Sequence, residues 1–328
     1  MFTTWLINNP EANKKMKELH HYQGVYAATV CPMDESGRHI DEANLIAHLQ
    51  QVSRVPGIRG LLINGHAGEN FALTLEEKRR VITLARQVCP AETLLVAGLN
   101  AEDSYDAQAQ ADDAKAAGAD ALLLFPPYSW TLSTDDKTVL NHHHIANENA
   151  QLPMMLYQAG VGCGGMAYPP DLLKQLVCLP HVVAVKEGSW ETATYEANLR
   201  LVREVAPHVA VMASGDEHLL TCFTLGTDGS LVSLAAVVPD LVVALYNAVQ
   251  MKNLAEAQRL HQFVYPLAKE IYGTWPGTHA NARLKACLHL AGHLPHAMPR
   301  PPVPAVDDAQ RAQLAAALTF AQSFTVTS

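Results

Sequence analysis

A (β/α)8 barrel of the TIM type with a C-terminal helical cap is the architecture this sequence predicts, and three observations lead there. Between residues 24 and 252, eight short apolar runs each precede an amphipathic helical stretch. Runs such as Val182-Val-Ala-Val185 are apolar without alternation, the pattern of strands buried on both faces of a parallel sheet. Eight strand–helix pairs suit a closed barrel, whereas an open doubly wound sheet usually has fewer.

Residues 1–23 are polar and helix-tolerant and read as an extension ahead of the barrel. Strands are expected at Gly24–Val30, Ile58–Asn64, Thr93–Leu99, Ala119–Phe125, Pro153–Tyr157, Val182–Lys186, Val209–Ser214 and Gly229–Ser233. Helices are expected near 41–54, 74–88, 104–117, 135–149, 170–178, 191–205, 216–225 and 239–251. Asp41, Thr74 with Glu77 three residues on, and Ser104 stand where N-caps belong. Residues 253–328 hold further helical segments, about 254–272, 279–292 and 306–323, parted by the proline-rich Pro295–Pro304. They read as a small cap on the barrel.

Hydrophobic residues make up 49% and charged residues 17%, ample for a core and unlike a disordered chain. A net charge of −9 without a Lys/Arg cluster argues against nucleic acid and anionic membrane as partners. No apolar run reaches the ~18 residues of a membrane span. The first ten residues lack a basic region followed by a long apolar one, so no signal peptide is expected. Six cysteines without C-x-x-C spacing fit reduced thiols in a cytoplasmic protein better than a disulfide frame or a zinc site.

In such a barrel the chemistry belongs at the C-terminal ends of the strands. The sixth strand ends in Lys186, and a buried ammonium must be paired, neutralised or functional. Desolvation there would lower its pKa and supply the free amine that imine chemistry needs; alternatively it pairs with Glu187 or another carboxylate. After the second strand, Gly65-His-Ala-Gly-Glu69 has two glycines three apart, allowing a tight turn whose N–H groups face an anion. Tyr157 at the fifth strand end is either a core phenol or an acid/base group. His142-His-His144 reads as a solvated helix face, since consecutive helical positions do not converge on one metal. The Asp216-Glu217 pair is expected to cap the helix after strand seven.

Taken in order, these strand ends resemble the dihydrodipicolinate synthase / N-acetylneuraminate lyase family of class I aldolase-like barrels. The matches are Gly65-x-x-Gly-Glu69, Leu73-Thr-x-Glu-Glu77, Pro126-Pro-Tyr128, Leu156-Tyr157, Val185-Lys-Glu187, Ser214-Gly-Asp216 and Gly226-x-x-Gly229. Leu284-Lys-Ala286 and Arg300-Pro-Pro302 resemble the family's C-terminal pattern, so the likeness spans roughly 24 to 305. The resemblance implies that Lys186 forms the Schiff base with a 2-oxo acid such as pyruvate and that Tyr157 shuttles protons. It also implies that the loop of Gly65, His66, Ala67, Gly68 and Glu69 holds the 2-oxo-acid carboxylate through backbone N–H groups. Gly162 and Leu231 are added as substrate-binding positions. No metal or organic cofactor is implied, because the protonated imine is itself the electron sink. A homo-oligomer, tetramer or dimer, is implied by the family habit.

Three departures bear on the substrate. The family loop usually has Ser or Thr between its glycines; here stand His66 and Ala67, and His66 is expected to take over the proton relay with an imidazole titrating near neutral pH. The family's second tyrosine after the Pro-Tyr pair is replaced by Ser129. Five residues after Tyr157, where synthases place a carboxylate-binding arginine, is Gly162, inside Gly160-Val-Gly-Cys-Gly-Gly165. That favours a bulkier or less acidic second substrate. The expected activity is therefore lyase chemistry on pyruvate or another 2-oxo acid, with an aldehyde as the second partner. The alternatives are dehydration of a 2-oxo-3-deoxy sugar acid through the same imine, and a barrel that binds a 2-oxo acid without turnover.

Overall fold

The computed structural model describes residues 21–325, so most of the 1–23 extension lies outside the described residues. Eight parallel strands close in sequence order: β1 (Gly24–Ala28), β2 (Ile58–Ile63), β3 (Leu94–Leu99), β4 (Ala121–Leu124), β5 (Met154–Gln158), β6 (Val182–Glu187), β7 (Ala210–Ala213) and β8 (Gly229–Val232). β8 returns to pair with β1, which leaves no sheet edge. Around them run α1 (Glu42–Ser53), α2 (Leu75–Val88), α3 (Ser104–Ala117), α4 (Asp136–Ala146), α5 (Pro170–Val177), α6 (Thr192–Val205), α7 (Leu219–Leu225) and α8 (Pro239–Gln250). The C-terminal region adds α9 (Leu254–Tyr272), α10 (Ala280–Leu290) and α11 (Asp308–Gln322).

Strand alternation sorts the core into two layers. Val25 and Ala27 of β1 pack outwards beneath the helices, while Tyr26 and Ala28 fill the barrel interior. Met155, Ala184, Met212 and Leu231 face the interior in the same way. Two residues beyond Met155 and Ala184 come Tyr157 and Lys186, so the period of two aims both into the barrel mouth. The chemistry at these strand ends is a consequence of strand parity.

Local signals account for most helix starts. Asp41 accepts the Asn44 N–H, and Thr74 with Glu77 forms a reciprocal capping box. At α3 the expected cap is displaced by one residue. Asp103 accepts the N–H groups of Tyr105 and Asp106, while the Ser104 hydroxyl lies 3.0 Å from His142 Nδ1. The helix expected over 216–225 is a short 3-10 turn, Asp216–His218, followed by α7.

Two expectations about charged and polar groups are corrected. His142 and His143 are buried, not solvated, because Trp130 and Tyr168 pack over that face of α4. His143 Nδ1 is 2.8 Å from the Val139 carbonyl, and burial holds both imidazoles down at about 4. Asp216 does not cap a helix; its buried carboxylate accepts the Leu234 N–H at 2.8 Å, across from β7 to the turn after β8.

The C-terminal region is fastened to the barrel mouth by charge. Lys285 on α10 forms a fully buried ion pair with Glu69 and donates to the Met298 carbonyl at 3.2 Å. Arg300 grips Glu77 bidentately at 2.7 and 2.8 Å, and its own N–H reaches Glu69 at 2.8 Å. The Leu284-Lys-Ala286 and Arg300-Pro-Pro302 motifs thus act as a clamp that seats α10 against the turn after β2.

Candidate active site

At the C-terminal mouth a pocket of about 490 Å³ opens between the strand ends and the C-terminal region. Lys186 stands at its floor, almost fully buried. Its Nζ lies 5.3 Å from the centre of the Tyr157 ring and 5.7 Å from that of Phe125. Burial pushes the amine down to about 8, against the pull of the Asp216 carboxylate. Asp216 is pushed up to about 7 by its own burial, which the Leu234 N–H and the Lys186 charge partly counter. The site therefore holds an amine that loses its proton with little cost near neutral pH, the state a nucleophile requires.

Tyr157 is the register partner of Lys186 across β5 and β6. Burial pushes its phenol above the ordinary range, with the charges of Cys163, Tyr128 and Glu187 adding to the shift. It therefore enters any reaction as a protonated phenol.

His66 begins the 3-10 turn His66–Gly68 after β2. Its ring is stacked with Phe125 at 4.1 Å and Tyr128 at 5.9 Å, and meets Tyr157 edge-on at 5.6 Å. Nε2 is 3.2 Å from the Tyr128 hydroxyl. Burial among these rings, followed by the Lys186 charge, pushes the imidazole down to about 3. The expectation of an imidazole titrating near neutral pH is corrected: the ring is neutral throughout that range, so any relay through it runs between tautomers.

The glycines of this turn stand close to their neighbours. A Cβ at Gly65 would meet Leu62 Cδ2 at 2.7 Å, and one at Gly68 would meet the Thr29 carbonyl at 3.2 Å. The N–H groups of Gly68, Glu69 and Asn70 are bonded within the turn, to Gly65, His66 and Gly65 carbonyls. A short helix leaves its first N–H groups without an internal partner, and here those are on His66 and Ala67, both of which line the pocket.

Four sequence-predicted positions fall off the pocket wall, Gly65 and Gly68 of the turn among them. The Glu69 side chain is off the pocket wall, in its ion pair with Lys285, and holds the loop. Gly162 lies exposed in the loop after β5, off the pocket wall, with open space where a side chain would stand. Leu231, on the inner face of β8, does line the pocket.

The strand-end reading missed the far wall. Trp190, Ser233, Tyr272, Thr278 and Asn281 all face the pocket, and three of these belong to the C-terminal region. Ser233 and Tyr272 are hydrogen-bonded to each other through their hydroxyls. Trp190 sits in the left-handed region at φ 60°, a conformation that costs a bulky side chain energy and is held here at the site. The turn-rich Gly273-Thr-Trp-Pro-Gly-Thr278 ahead of α10 was the available signal, an aromatic loop with no strand beneath it.

Comparison with known proteins fits this geometry. The sequence is 30% identical over 292 residues to 4-hydroxy-tetrahydrodipicolinate synthase 1 of Streptomyces coelicolor, covering 88% of this chain and 91% of that one. It is 28% identical over 251 residues to the 4-hydroxy-tetrahydrodipicolinate synthase of Methanothrix thermoacetophila, covering 76% and 82%. The crystal structure of dihydrodipicolinate synthase from Agrobacterium tumefaciens superposes with a TM-score of 0.83 at 26% identity, over 93% of this chain and 99% of that one. YagE, a prophage protein of the dihydrodipicolinic acid synthase family from Escherichia coli solved in complex with pyruvate, shares the fold with a TM-score of 0.83 at 21% identity, covering 92% and 99%. The family model of the Dihydrodipicolinate synthetase family matches residues 21–321, and the chain belongs to that family of lyases.

Proposed function

We propose that this protein is a class I lyase that forms an imine between Lys186 and the ketone of pyruvate or a related 2-oxo acid, and makes or breaks a C–C bond through it. The observation that carries this reading is Lys186 itself, nearly buried, held at about 8 and placed beside the Tyr157 ring. The free amine attacks the keto carbon, and loss of water leaves a protonated imine. Loss of a proton from the neighbouring carbon then gives an enamine, the electron pair resting on the imine nitrogen. The enamine carbon attacks an aldehyde, whose oxygen takes up a proton, and water hydrolyses the imine to release product and amine. Run backwards, the same steps cleave the bond.

In this reading Tyr157 donates and recovers the proton at the reacting oxygen, as befits a phenol held protonated by burial. The His66 and Ala67 N–H groups, at the start of their turn, take the 2-oxo-acid carboxylate. The Tyr128–His66 hydrogen bond steadies the imidazole beside the Tyr157 ring.

The test is borohydride reduction in the presence of pyruvate, followed by peptide mass spectrometry. A reduced pyruvyl adduct on Lys186 is expected. Its absence with pyruvate and with longer 2-oxo acids would overturn the class I mechanism.

A further inference from the structure

The pocket is far larger than pyruvate fills, and its composition describes what occupies the remainder. Beyond Lys186 much of the wall is aromatic or aliphatic: Phe71, Trp190, Tyr272, Leu284 and Val303. Among the described residues that line it, Lys186 is the only lysine or arginine, and the imine consumes it. A carboxylate or phosphate on the second substrate would enter this wall without a cation to meet it, and with the buried Asp216 nearby.

Ser214, Asp216, Ser233, Thr278 and Asn281 set polar groups into this wall, and Asn281 stands apart among them. Asn281, in the first turn of α10, is 4% exposed, and neither its amide nitrogen nor its amide oxygen has a hydrogen-bond partner among the described residues. Buried amides are nearly always bonded, and this unbonded one belongs to a residue that lines the pocket. A carboxamide offers both an N–H donor and a C=O acceptor, and so it suits a carbonyl oxygen that becomes a hydroxyl.

We infer that the second substrate is an uncharged aldehyde with an aromatic or similarly apolar body, and that Asn281 binds its oxygen. This rests on the imine reading above. In the aldol step the enamine carbon forms the new C–C bond and the carbonyl π pair moves onto oxygen. That oxygen takes the proton which the pyruvate methyl group lost, so the step balances without a co-reactant. Asn281 donates an N–H hydrogen bond to the oxygen as charge develops on it and stays unaltered. The apolar wall holds the ring, with Phe71 and Trp190 at the entrance, each partly exposed.

The full-length protein is first trapped with pyruvate and borohydride, then assayed for pyruvate consumption with benzaldehyde, glyceraldehyde and aspartate semialdehyde. The expected result is a trapped adduct and a kcat/KM for benzaldehyde at least tenfold above the other two. Asn281→Leu is expected to raise the benzaldehyde KM about tenfold while the pyruvate KM moves less than threefold. Asn281→Asp, of equal size, gives the same split if the leucine variant does not fold. An adduct with preference for the charged or hydroxylated aldehyde, or with no aldehyde consumed, overturns the inference and leaves the imine reading standing. No adduct overturns both. A variant that shifts both KM values equally, or neither, removes Asn281 from the role.

Discussion

Tyr157 and Lys186 are paired residues of the β5–β6 ladder, so the distance from phenol to amine is set by main-chain hydrogen bonds and not by a loop. A substitution at one leaves the other in place. Tyr157→Phe is expected to keep the circular dichroism spectrum and the borohydride adduct while turnover falls about 10²- to 10⁴-fold. Lys186→Ala is expected to lose the adduct altogether. Full turnover by Tyr157→Phe would remove the phenol from the proton path.

The Lys186 amine, lowered to about 8 by burial, sets an acid limb on the reaction. The neutral amine is the nucleophile, so below pH 8 the fraction available falls tenfold per pH unit, and above pH 8 it is complete. The initial rate of adduct formation with pyruvate, followed from pH 6 to 9.5, should rise and level off near 8. A flat profile would mean that the amine is already neutral at pH 6.

Asp216 favours the charged form of Lys186 from a buried position. Removing that charge with Asp216→Asn is expected to move the acid limb to lower pH, since the ammonium loses its partner. The same pH series on this variant reads the displacement directly. A limb that moved to higher pH would contradict the assigned sign.

The buried pair of Glu69 and Lys285 makes a prediction about stability. Lys285→Met leaves a buried carboxylate with the Arg300 N–H still bonded to it. Loss of one partner from such a pair costs about 3–5 kcal/mol, read as a drop in the urea midpoint. The double variant with Glu69→Leu is expected to recover a substantial part of that loss, because no lone charge remains. A double variant weaker than the single would mean that the pair is favourable beyond mutual neutralisation.

Much of the barrel was legible because its strands obey a period of two and its helices carry their own caps. All eight strands fall within the expected runs or extend them by one residue, and Lys186 and Tyr157 follow from parity once the strands are placed. What failed to read did so where distant parts of the chain meet. The ion pair of Glu69 gave no sign in the sequence because its partner, Lys285, is 216 residues away. His142 and His143 looked solvated because nothing in their own helix announces Tyr168 above them. Gly162 sits at the expected offset from Tyr157, yet the path of a loop is not a property of its spacing. Asn281 carried no signal at all, since it stands on no strand end.

The clamp of Lys285 and Arg300 has a further consequence for how such an enzyme diversifies. Lys186 and Tyr157 ride on the strands, whereas α10 and the loop before it supply the facing wall, Asn281 included. The two stretches are joined at the rim by the ion pairs of Lys285 with Glu69 and Arg300 with Glu77. On the proposed function, a substitution within 273–284 would alter the choice of second substrate while leaving Lys186 and Tyr157 where their strands hold them.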